Sequence, residues 1–246
     1  GGKAQPDAVL IDRDSVGMVD VQSGILLGGR NENNWYHWVI EYVSRLNFDT
    51  EIPPEIPILV SDTVPESFLE VISSFSDREI LRLPKTMDWK VETLFVAQPL
   101  MQILDSTVIP WEEGLFLNSA ALGAFRDTVL HSQNSYPSPS KIFLTRNSGH
   151  RGLINQRKLR KLAESFGFTS IDPSSMSWSQ QVNLFRNANM VVGASGAVMA
   201  NYLFMPPNSK IHSLTNERLW DFVLPAQISS IAGVNFLGCH DDQPNL

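Results

Sequence analysis

The chain has very little of what would assign it to a simple class of protein. Only one of its 246 residues is a cysteine, Cys239, so no disulfide can form within the chain. The sequence also contains no Asn-x-Ser/Thr glycosylation site, although asparagine is frequent. Both absences are typical of proteins that work in a reducing compartment.

Long apolar runs and an excess of basic charge are also missing. The longest apolar stretch, 190–203, is interrupted by Gly193, Ser195, Gly196 and Asn201, whereas a membrane-spanning helix needs roughly 20 predominantly apolar residues. We therefore predict no transmembrane segment, which leaves peripheral contact with a membrane open. The net charge is -7 and there is no basic stripe, which argues against a nucleic-acid partner. The sequence does not indicate the oligomeric state.

Metal-binding patterns are equally scarce. The sequence has no His-Glu-x-x-His motif and no pair of cysteines. Its one Asp-x-Asp triplet, Asp12-Arg13-Asp14, lies near the start of the chain, and we interpret it as a coincidence. We predict that the protein binds no metal ion.

The residues that are present indicate a globular α/β protein. Hydrophobic residues make up 43% of the chain, and 13 Phe and 6 Trp can build a large core. Segments with strand-like and helix-like spacing alternate, which predicts parallel sheets that bind ligands beyond the carboxyl ends of their strands. The predicted strands are 56–60, 80–83, 91–96, 141–145, 190–193 and 210–214, and the predicted helices are 35–46, 65–75, 120–130, 155–166, 178–187 and 197–204.

A short stretch rich in serine and proline, residues 132–140, divides this pattern into two halves. We predict an N-terminal lobe of residues 1–131, a linker at 132–140 and a C-terminal lobe of residues 141–246.

An arginine-rich loop follows the strand predicted at 141–145. It carries Arg146, Asn147 and Arg151, and a guanidinium group is a rigid fork of donors suited to phosphate. We predict a diphosphate site here. The alternative is that both arginines make ordinary surface ion pairs.

A turn of small residues follows the strand predicted at 190–193. In Gly193-Ala194-Ser195-Gly196-Ala197 the small side chains allow a ligand to approach the backbone, and the free N–H groups at the next helix start favour an anion. The turn matches neither the P-loop nor Gly-x-Gly-x-x-Gly, and Ser195 does not lie in a Gly-x-Ser-x-Gly nucleophile motif. The alternative is tight packing of helix on sheet.

In the N-terminal half, His37 and Glu41 are four residues apart and share one face of the predicted helix 35–46. An imidazole beside a carboxylate suits general-base catalysis. The alternative is that His37 is a partly buried packing residue among neighbouring aromatic side chains. Asn33 or Asn34 is expected to cap this helix.

These motifs, in this order and spacing, resemble glycosyltransferase family 61. That family includes protein O-linked N-acetylglucosamine transferases, plant xylosyl- and arabinosyltransferases and bacterial capsule-biosynthesis proteins. The likeness covers roughly residues 30–46 and 141–214. The residues that carry it are Asn34-Trp35-Tyr36-His37-Trp38, Glu41, Arg45-Leu46, Arg146 to Arg151, Met176-Ser177-Trp178, Gly193 to Ala197, Asn201 to Phe204 and Pro206-Pro207.

The resemblance implies a GT-B-like fold of two Rossmann-type lobes with a cleft between them. It implies inverting, metal-independent transfer from a nucleotide sugar, with a UDP-sugar among the candidates, to a glycan or other hydroxyl acceptor. Together with the missing sequons it favours polysaccharide synthesis in a bacterial-type cytoplasm, whereas an upstream anchor would imply the secretory lumen.

The resemblance also implies roles for individual residues. His37 or Glu41 is the catalytic base, with His37 favoured and Glu41 orienting it. The expected acceptor-side residues are Asn34 and Tyr36, and the expected donor-binding residues are Arg146, Asn147, Arg151, Ser195, Gly196, Ala197 and Asn201. The family usually has His where this chain has Ser195, so a hydroxyl replaces a cationic imidazole at the donor.

Two rival hypotheses follow from the same residues. A member that kept the fold and lost turnover would be a nucleotide-sugar or glycan binding module, and Ser195 motivates this reading. A dinucleotide oxidoreductase is disfavoured, because the Gly-x-Gly-x-x-Gly fingerprint is absent.

Overall fold

The computed structural model describes residues 17–103, 115–146, 153–216 and 224–241. Its N-terminal half contains a sheet of four parallel strands in the order β3-β2-β1-β4. The strands are β1 Met18–Leu26, β2 Ile58–Ser61, β3 Ile80–Leu83 and β4 Asp88–Phe95. All four residues of β2 are buried, and the first three of them, Ile58, Leu59 and Val60, are apolar.

The C-terminal half contains a second parallel sheet, of five strands in the order β11-β10-β9-β7-β8. A small antiparallel pair, β5 and β6, precedes it. The bounds are β5 Met101–Ile103, β6 Leu115–Leu117, β7 Lys141–Leu144, β8 Thr169–Ile171, β9 Met190–Ala194, β10 Lys210–Asn216 and β11 Asn235–Asp241. The prediction of an α/β protein with mainly parallel sheets is confirmed.

Six α-helices and several 3-10 turns cover the described parts of these sheets. The α-helices are α1 Trp35–His37, α2 Glu66–Ser73, α3 Ser119–Ser132, α4 Gln156–Ser165, α5 Trp178–Arg186 and α6 Leu224–Ile231. Every helix predicted from the sequence is present, but 197–204 is a 3-10 helix, with the N–H of Met199 bonded to the carbonyl of Gly196.

The helix predicted at 35–46 is continuous but irregular. After α1 it passes through a π-helical turn, Trp38–Tyr42, and continues as a 3-10 helix, Val43–Glu51. Asn34 caps it, because its side chain accepts a hydrogen bond from the N–H of Tyr36 at 3.0 Å. The core encloses most of the circumference of this stretch, because five of its residues are buried: Trp38, Val39, Ile40, Tyr42 and Val43.

One hydrophobic cluster runs through both halves of the chain. Helix α3 is tied to the C-terminal half by Arg126, whose Nε donates to the carbonyl of Leu203 at 2.8 Å. Arg186 in turn donates to the carbonyl of Gln133 at 2.6 Å. Residues 133–139 have no helix or strand. The division into lobes at 132–140 stays a prediction.

Each sheet has a point at which the chain changes direction. In the second sheet β8 lies on one side of β7 and β9 lies on the other. The chain therefore passes from β7 to β8 on one side and then crosses to β9 on the opposite side. Open parallel sheets bind ligands at the carboxyl ends of the strands flanking such a point. In the first sheet the corresponding point lies between β1 and β4.

Candidate functional site

A cavity of about 350 Å³ opens at the carboxyl ends of β7, β8 and β9. It therefore lies at the point where the second sheet changes direction. Leu144 ends β7 and Ala194 ends β9, and both line the cavity. The lining residues that come after the strands are Thr145 and Arg146 after β7, Asp172, Pro173, Ser174 and Met176 after β8, and Gly196, Ala197 and Val198 after β9. The other lining residues come from helices in both halves of the chain: Trp35, Ser67, Phe68, Trp178 and Gln181.

Arg146 places a guanidinium group at the edge of this cavity. Its backbone is fixed by Gln156, whose side chain accepts from the N–H of Arg146 at 2.9 Å and donates to its carbonyl at 3.2 Å. Its Nη1 lies 3.4 Å from the carbonyl oxygen of Ser195. The arginine after β7 thus contacts the small-residue turn after β9. Asn147 and Arg151 lie outside the described residues.

Gly196 lies directly against this guanidinium. A Cβ atom at position 196 would be 2.8 Å from Nη1 and 3.5 Å from Cζ of Arg146. The φ angle of Gly196 is 175°, which any residue can adopt, so the glycine is required for space rather than for backbone conformation. Ala197 and Val198 begin the following 3-10 helix and also line the cavity.

We expect Gly196→Ala to weaken nucleotide binding with little loss of stability. The new methyl group would displace the mobile end of Arg146, and we expect a roughly tenfold rise in the Kd for a nucleoside diphosphate, equivalent to about 1.4 kcal/mol. Gly193→Ala is the control, since its Cβ would lie 2.5 Å from Cβ and 3.1 Å from the carbonyl oxygen of Leu144. That substitution should reduce the free energy of unfolding by about 1–3 kcal/mol.

Titration calorimetry and thermal denaturation separate the two effects. An unchanged Kd for Gly196→Ala would show that the arginine does not bind the nucleotide in this position.

Ser195 and Asn201 lie beside the cavity rather than among its lining residues. The hydroxyl of Ser195 lies 2.8 Å from that of Ser213, and Ser195 is buried. Asn201 is fully buried; its Oδ1 accepts from Nε1 of Trp35 at 3.2 Å, and its Nδ2 donates to Oε1 of Gln181 at 2.7 Å. Asn201 therefore links two residues that do line the cavity, one from each half of the chain.

An aromatic wall closes the cavity on the side of the N-terminal half. The ring of Trp35 packs edge-on against Phe68, with centroids 5.0 Å apart, and against Trp178 at 5.9 Å. The backbone N–H of Trp178 donates to Oε2 of Glu70 at 3.3 Å. These contacts hold α1, α2 and α5 together around the cavity.

Asp172 and Ser174 bring polar groups to the cavity lining. Oδ1 of Asp172 accepts from the N–H of Ser174 at 3.0 Å and from its hydroxyl at 2.7 Å. Both residues line the cavity just beyond the end of β8. The carboxylate is therefore fixed at the same sheet edge as Arg146.

The predicted base pair forms on the first helix. Nδ1 of His37 lies 2.6 Å from Oε1 of Glu41, and the two side chains are 24% and 16% exposed. Arg45 lies in the 3-10 segment that follows, and its charge interacts with that of Glu41. Burial lowers the pKa of Arg45, and its guanidinium lies 5.0 Å from the ring of Tyr42. Burial, followed by the charge of Glu41, raises the pKa of Tyr42 to about 12.

The described lining residues of the cavity include Trp35 but neither His37 nor Glu41. Tyr36 packs inward, its hydroxyl 3.5 Å from the sulfur of Met101, and burial raises its pKa far above the usual value. The roles of His37, Glu41, Asn34 and Tyr36 toward an acceptor stay predictions.

Several lining residues were missed by the sequence analysis: Trp35, Ser67, Phe68, Asp172, Ser174, Met176, Trp178 and Gln181. A signal for Asp172 existed, since it follows a strand of the same sheet, but the three-residue β8 was not predicted. Ser67 and Phe68 reach the cavity through tertiary packing, which local pattern does not encode.

Within the described residues, no group of three or more His, Cys, Asp or Glu side chains is arranged to hold a metal ion. Likewise, none of the described helices combines the length and the apolar character needed to cross a bilayer.

Two parallel sheets with a cavity at a switch point define an α/β protein of Rossmann-like type. The family model for Glycosyltransferase 61 matches residues 35–212, which include Trp35, Arg146 and the turn at 193–197. The chain belongs to the glycosyltransferase 61 family.

A curated relative is the EGF domain-specific O-linked N-acetylglucosamine transferase of Gallus gallus. It is 24% identical to this chain over an alignment that covers 74% of the chain and 38% of the relative. The chain thus spans well under half the length of that relative.

Proposed function

We propose that this protein is an inverting, metal-independent glycosyltransferase that moves a sugar from a nucleotide-sugar donor to a hydroxyl acceptor. The observation that carries the proposal is the meeting of Arg146 with the turn at 195–197 on one cavity, within a chain of this family. A GT-B arrangement, with donor and acceptor bound in a cleft between two lobes, is part of the proposal.

The diphosphate of the donor would lie between Arg146 and the start of the 3-10 helix at Ala197. The guanidinium supplies charged donors, and the N–H groups at the helix start add partial positive charge. Gln156 holds the backbone of Arg146, and Nη1 of its guanidinium reaches the carbonyl oxygen of Ser195 at 3.4 Å. The turn is held by the pairing of β9 with β7 and β10. Preorganised donors of this kind stabilise the charge that develops on a leaving diphosphate.

The nucleoside would occupy the rest of the cavity. Asp172 stands at the end of the second strand of this sheet, where an acidic residue accepts hydrogen bonds from ribose hydroxyls in related dinucleotide-binding folds. Its carboxylate is held by Ser174 at 2.7 Å. The apolar wall of Trp35, Phe68 and Met176 suits the base.

On the acceptor side, Nε2 of His37 would take the proton of the acceptor hydroxyl while Glu41 holds Nδ1–H. The acceptor oxygen then forms a bond to the anomeric carbon. The bond from that carbon to the diphosphate oxygen breaks, and the diphosphate leaves with the electron pair toward Arg146. Attack opposite the leaving group inverts the anomeric configuration.

The chemical nature of the acceptor is the least constrained part of the proposal. The name of the chicken relative specifies transfer of N-acetylglucosamine in O-linkage to EGF domains. For this chain we propose a hydroxyl acceptor, with a role in polysaccharide biosynthesis. A cytoplasmic location stays a prediction.

Ser195 supports a second candidate function, a binding module that holds a nucleotide sugar without turning it over. Position 195 carries a hydroxyl where the resemblance to the family implies an imidazole, so this side chain supplies no positive charge. The hydroxyl lies 2.8 Å from that of Ser213. Such a module would bind nucleotide sugars but neither transfer nor hydrolyse them.

The experiment that tests the proposal is a thermal-shift and calorimetric screen with UDP, GDP, CDP and their sugars. A ligand present at about 100 times its Kd adds roughly 2.7 kcal/mol to the free energy of unfolding. The melting temperature should then rise by roughly 5–10 °C. Binding followed by transfer to an offered acceptor supports the enzyme, and binding without turnover or hydrolysis supports the module. Absence of binding across the panel would contradict both.

A further inference from the structure

The outer side of helix α4, Gln156–Ser165, exposes basic and apolar side chains together. No residue of this helix is buried. We propose that this surface docks the protein on an anionic lipid bilayer. The proposal goes beyond the transferase function and does not depend on it.

The charge on the helix is the first observation. Its ten residues include four basic side chains and one acidic side chain, although the whole chain carries a net charge of -7. Nε of Arg160 lies 2.8 Å from Oε1 of Glu164, so these two charges offset each other. The exposed basic residues that remain are Arg157, Lys158 and Lys161. The positive charge is thus local and points away from the sheet that α4 covers.

The second observation is the apolar surface beside these charges. Leu162 is 56% exposed, and Phe166, which ends the helix, is 66% exposed. Lys158, Leu162 and Phe166 are spaced four residues apart and therefore lie along one face. Lys141 adds a further cation, since its Nζ lies 3.3 Å from the carbonyl oxygen of Phe166.

This combination favours a bilayer over an acidic protein. Helices that lie in the headgroup layer combine lysines with leucine and phenylalanine side chains that reach the acyl boundary. Each lysine or arginine near an anionic surface adds attraction that falls off within about a Debye length. An acidic protein partner would bind the basic side chains of α4, but it would not require the exposed apolar side chains of Leu162 and Phe166 beside them.

The location of α4 is compatible with a working active site. The helix begins at Gln156, which holds the backbone of Arg146, and it then runs away from the cavity beside β7 and β8. Residues 157–166 are absent from the described lining of the cavity. Docking through α4 would leave the cavity open to its ligand.

The test is co-sedimentation of the whole chain with vesicles of phosphatidylcholine alone or with added phosphatidylserine. We expect binding to the phosphatidylserine vesicles that weakens as salt is raised. Reversing two charges in Lys158→Glu/Lys161→Glu should lower the bound-to-free ratio by more than about tenfold. Leu162→Ser/Phe166→Ser should lower it several-fold while leaving the dependence on salt in place.

Lys90→Glu/Lys210→Glu is the matched control, because it reverses two exposed charges elsewhere and should bind as the wild type does. Circular dichroism checks that each variant is folded. If the charge-reversed variant misfolds, Lys158→Gln/Lys161→Gln, which only neutralises the two charges, replaces it. Equal binding to both vesicle types, no binding of the wild type, or insensitivity to the α4 substitutions would overturn the proposal. Binding of a polyglutamate peptide in place of vesicles would assign the surface to an acidic partner and likewise overturn it.

Discussion

Arg146→Ala is expected to lower the rate of sugar transfer by about 10²–10³-fold, the usual cost of removing one preorganised donor from a developing negative charge. Nη1 of Arg146 lies 3.4 Å from the carbonyl of Ser195 and against Gly196, so the guanidinium occupies the space between the two loops of the cavity. Without it, only the N–H groups at the helix start at Ala197 would stabilise the negative charge of the leaving diphosphate. Nucleoside diphosphate affinity should fall as well, measured by calorimetry.

Two variants serve as controls for this experiment. Arg146→Lys keeps the charge but loses the planar fork, and we expect it to recover only part of the activity. Arg160→Ala removes an exposed arginine whose carboxylate partner is also on the surface, and it should leave transfer unchanged. A loss of only a few-fold in Arg146→Ala, with the protein folded, would remove the phosphate role from this residue.

Much of the fold could be predicted from the sequence because many of its elements carry a regular local pattern of apolar residues. The buried β2 and the amphipathic α2 follow their local periodicity, and their predicted positions agree with the structure within a few residues. Three of the missed strands, β5, β6 and β8, have three residues each, too few to establish a period. The helix α6 and the edge strand β11, of eight and seven residues, were not predicted either. The 3-10 geometry of 197–204 was not visible in its apolar sequence.

The candidate site could be predicted in part, for a reason specific to parallel sheets. Arg146 and Gly196 each follow a strand, and strands that pair in parallel bring their carboxyl ends to one edge, so local pattern was enough. Trp35 and Phe68 come from another part of the chain, and their place in the cavity depends on how α1 and α2 pack. Sequence spacing contains no information about that packing.

Asn201 illustrates how the two halves of the chain depend on each other. It was expected to bind the donor, yet its side chain joins Trp35 of the N-terminal half to Gln181 of the C-terminal half at 3.2 and 2.7 Å. A fully buried amide that loses a partner costs about 1–3 kcal/mol, so both halves must adopt one relative position near the cavity. Asn201 therefore helps to fix the shape of the cavity from outside its lining, and its binding to a donor stays a prediction.

The second large effect is expected on the acceptor side. His37→Ala should lower transfer by about 10²–10⁴-fold, the contribution of a positioned general base, while leaving nucleoside diphosphate affinity close to that of the wild type. The physical reason is the 2.6 Å contact between Nδ1 of His37 and Oε1 of Glu41, which fixes the ring and leaves Nε2 to accept a proton. Steady-state rates and calorimetry on the same preparations separate catalysis from binding.

Glu41→Gln and His131→Ala complete this test. The amide that replaces the carboxylate in Glu41→Gln is a weaker acceptor for Nδ1–H, so we expect a smaller loss, roughly tenfold, equivalent to about 1.4 kcal/mol in the barrier. His131 is exposed on α3 and its Nδ1 lies 2.6 Å from the carbonyl oxygen of Asp127, so its removal should not affect transfer. A larger loss in Glu41→Gln than in His37→Ala would make Glu41 the base. Near-normal transfer in both would place the base elsewhere in the chain.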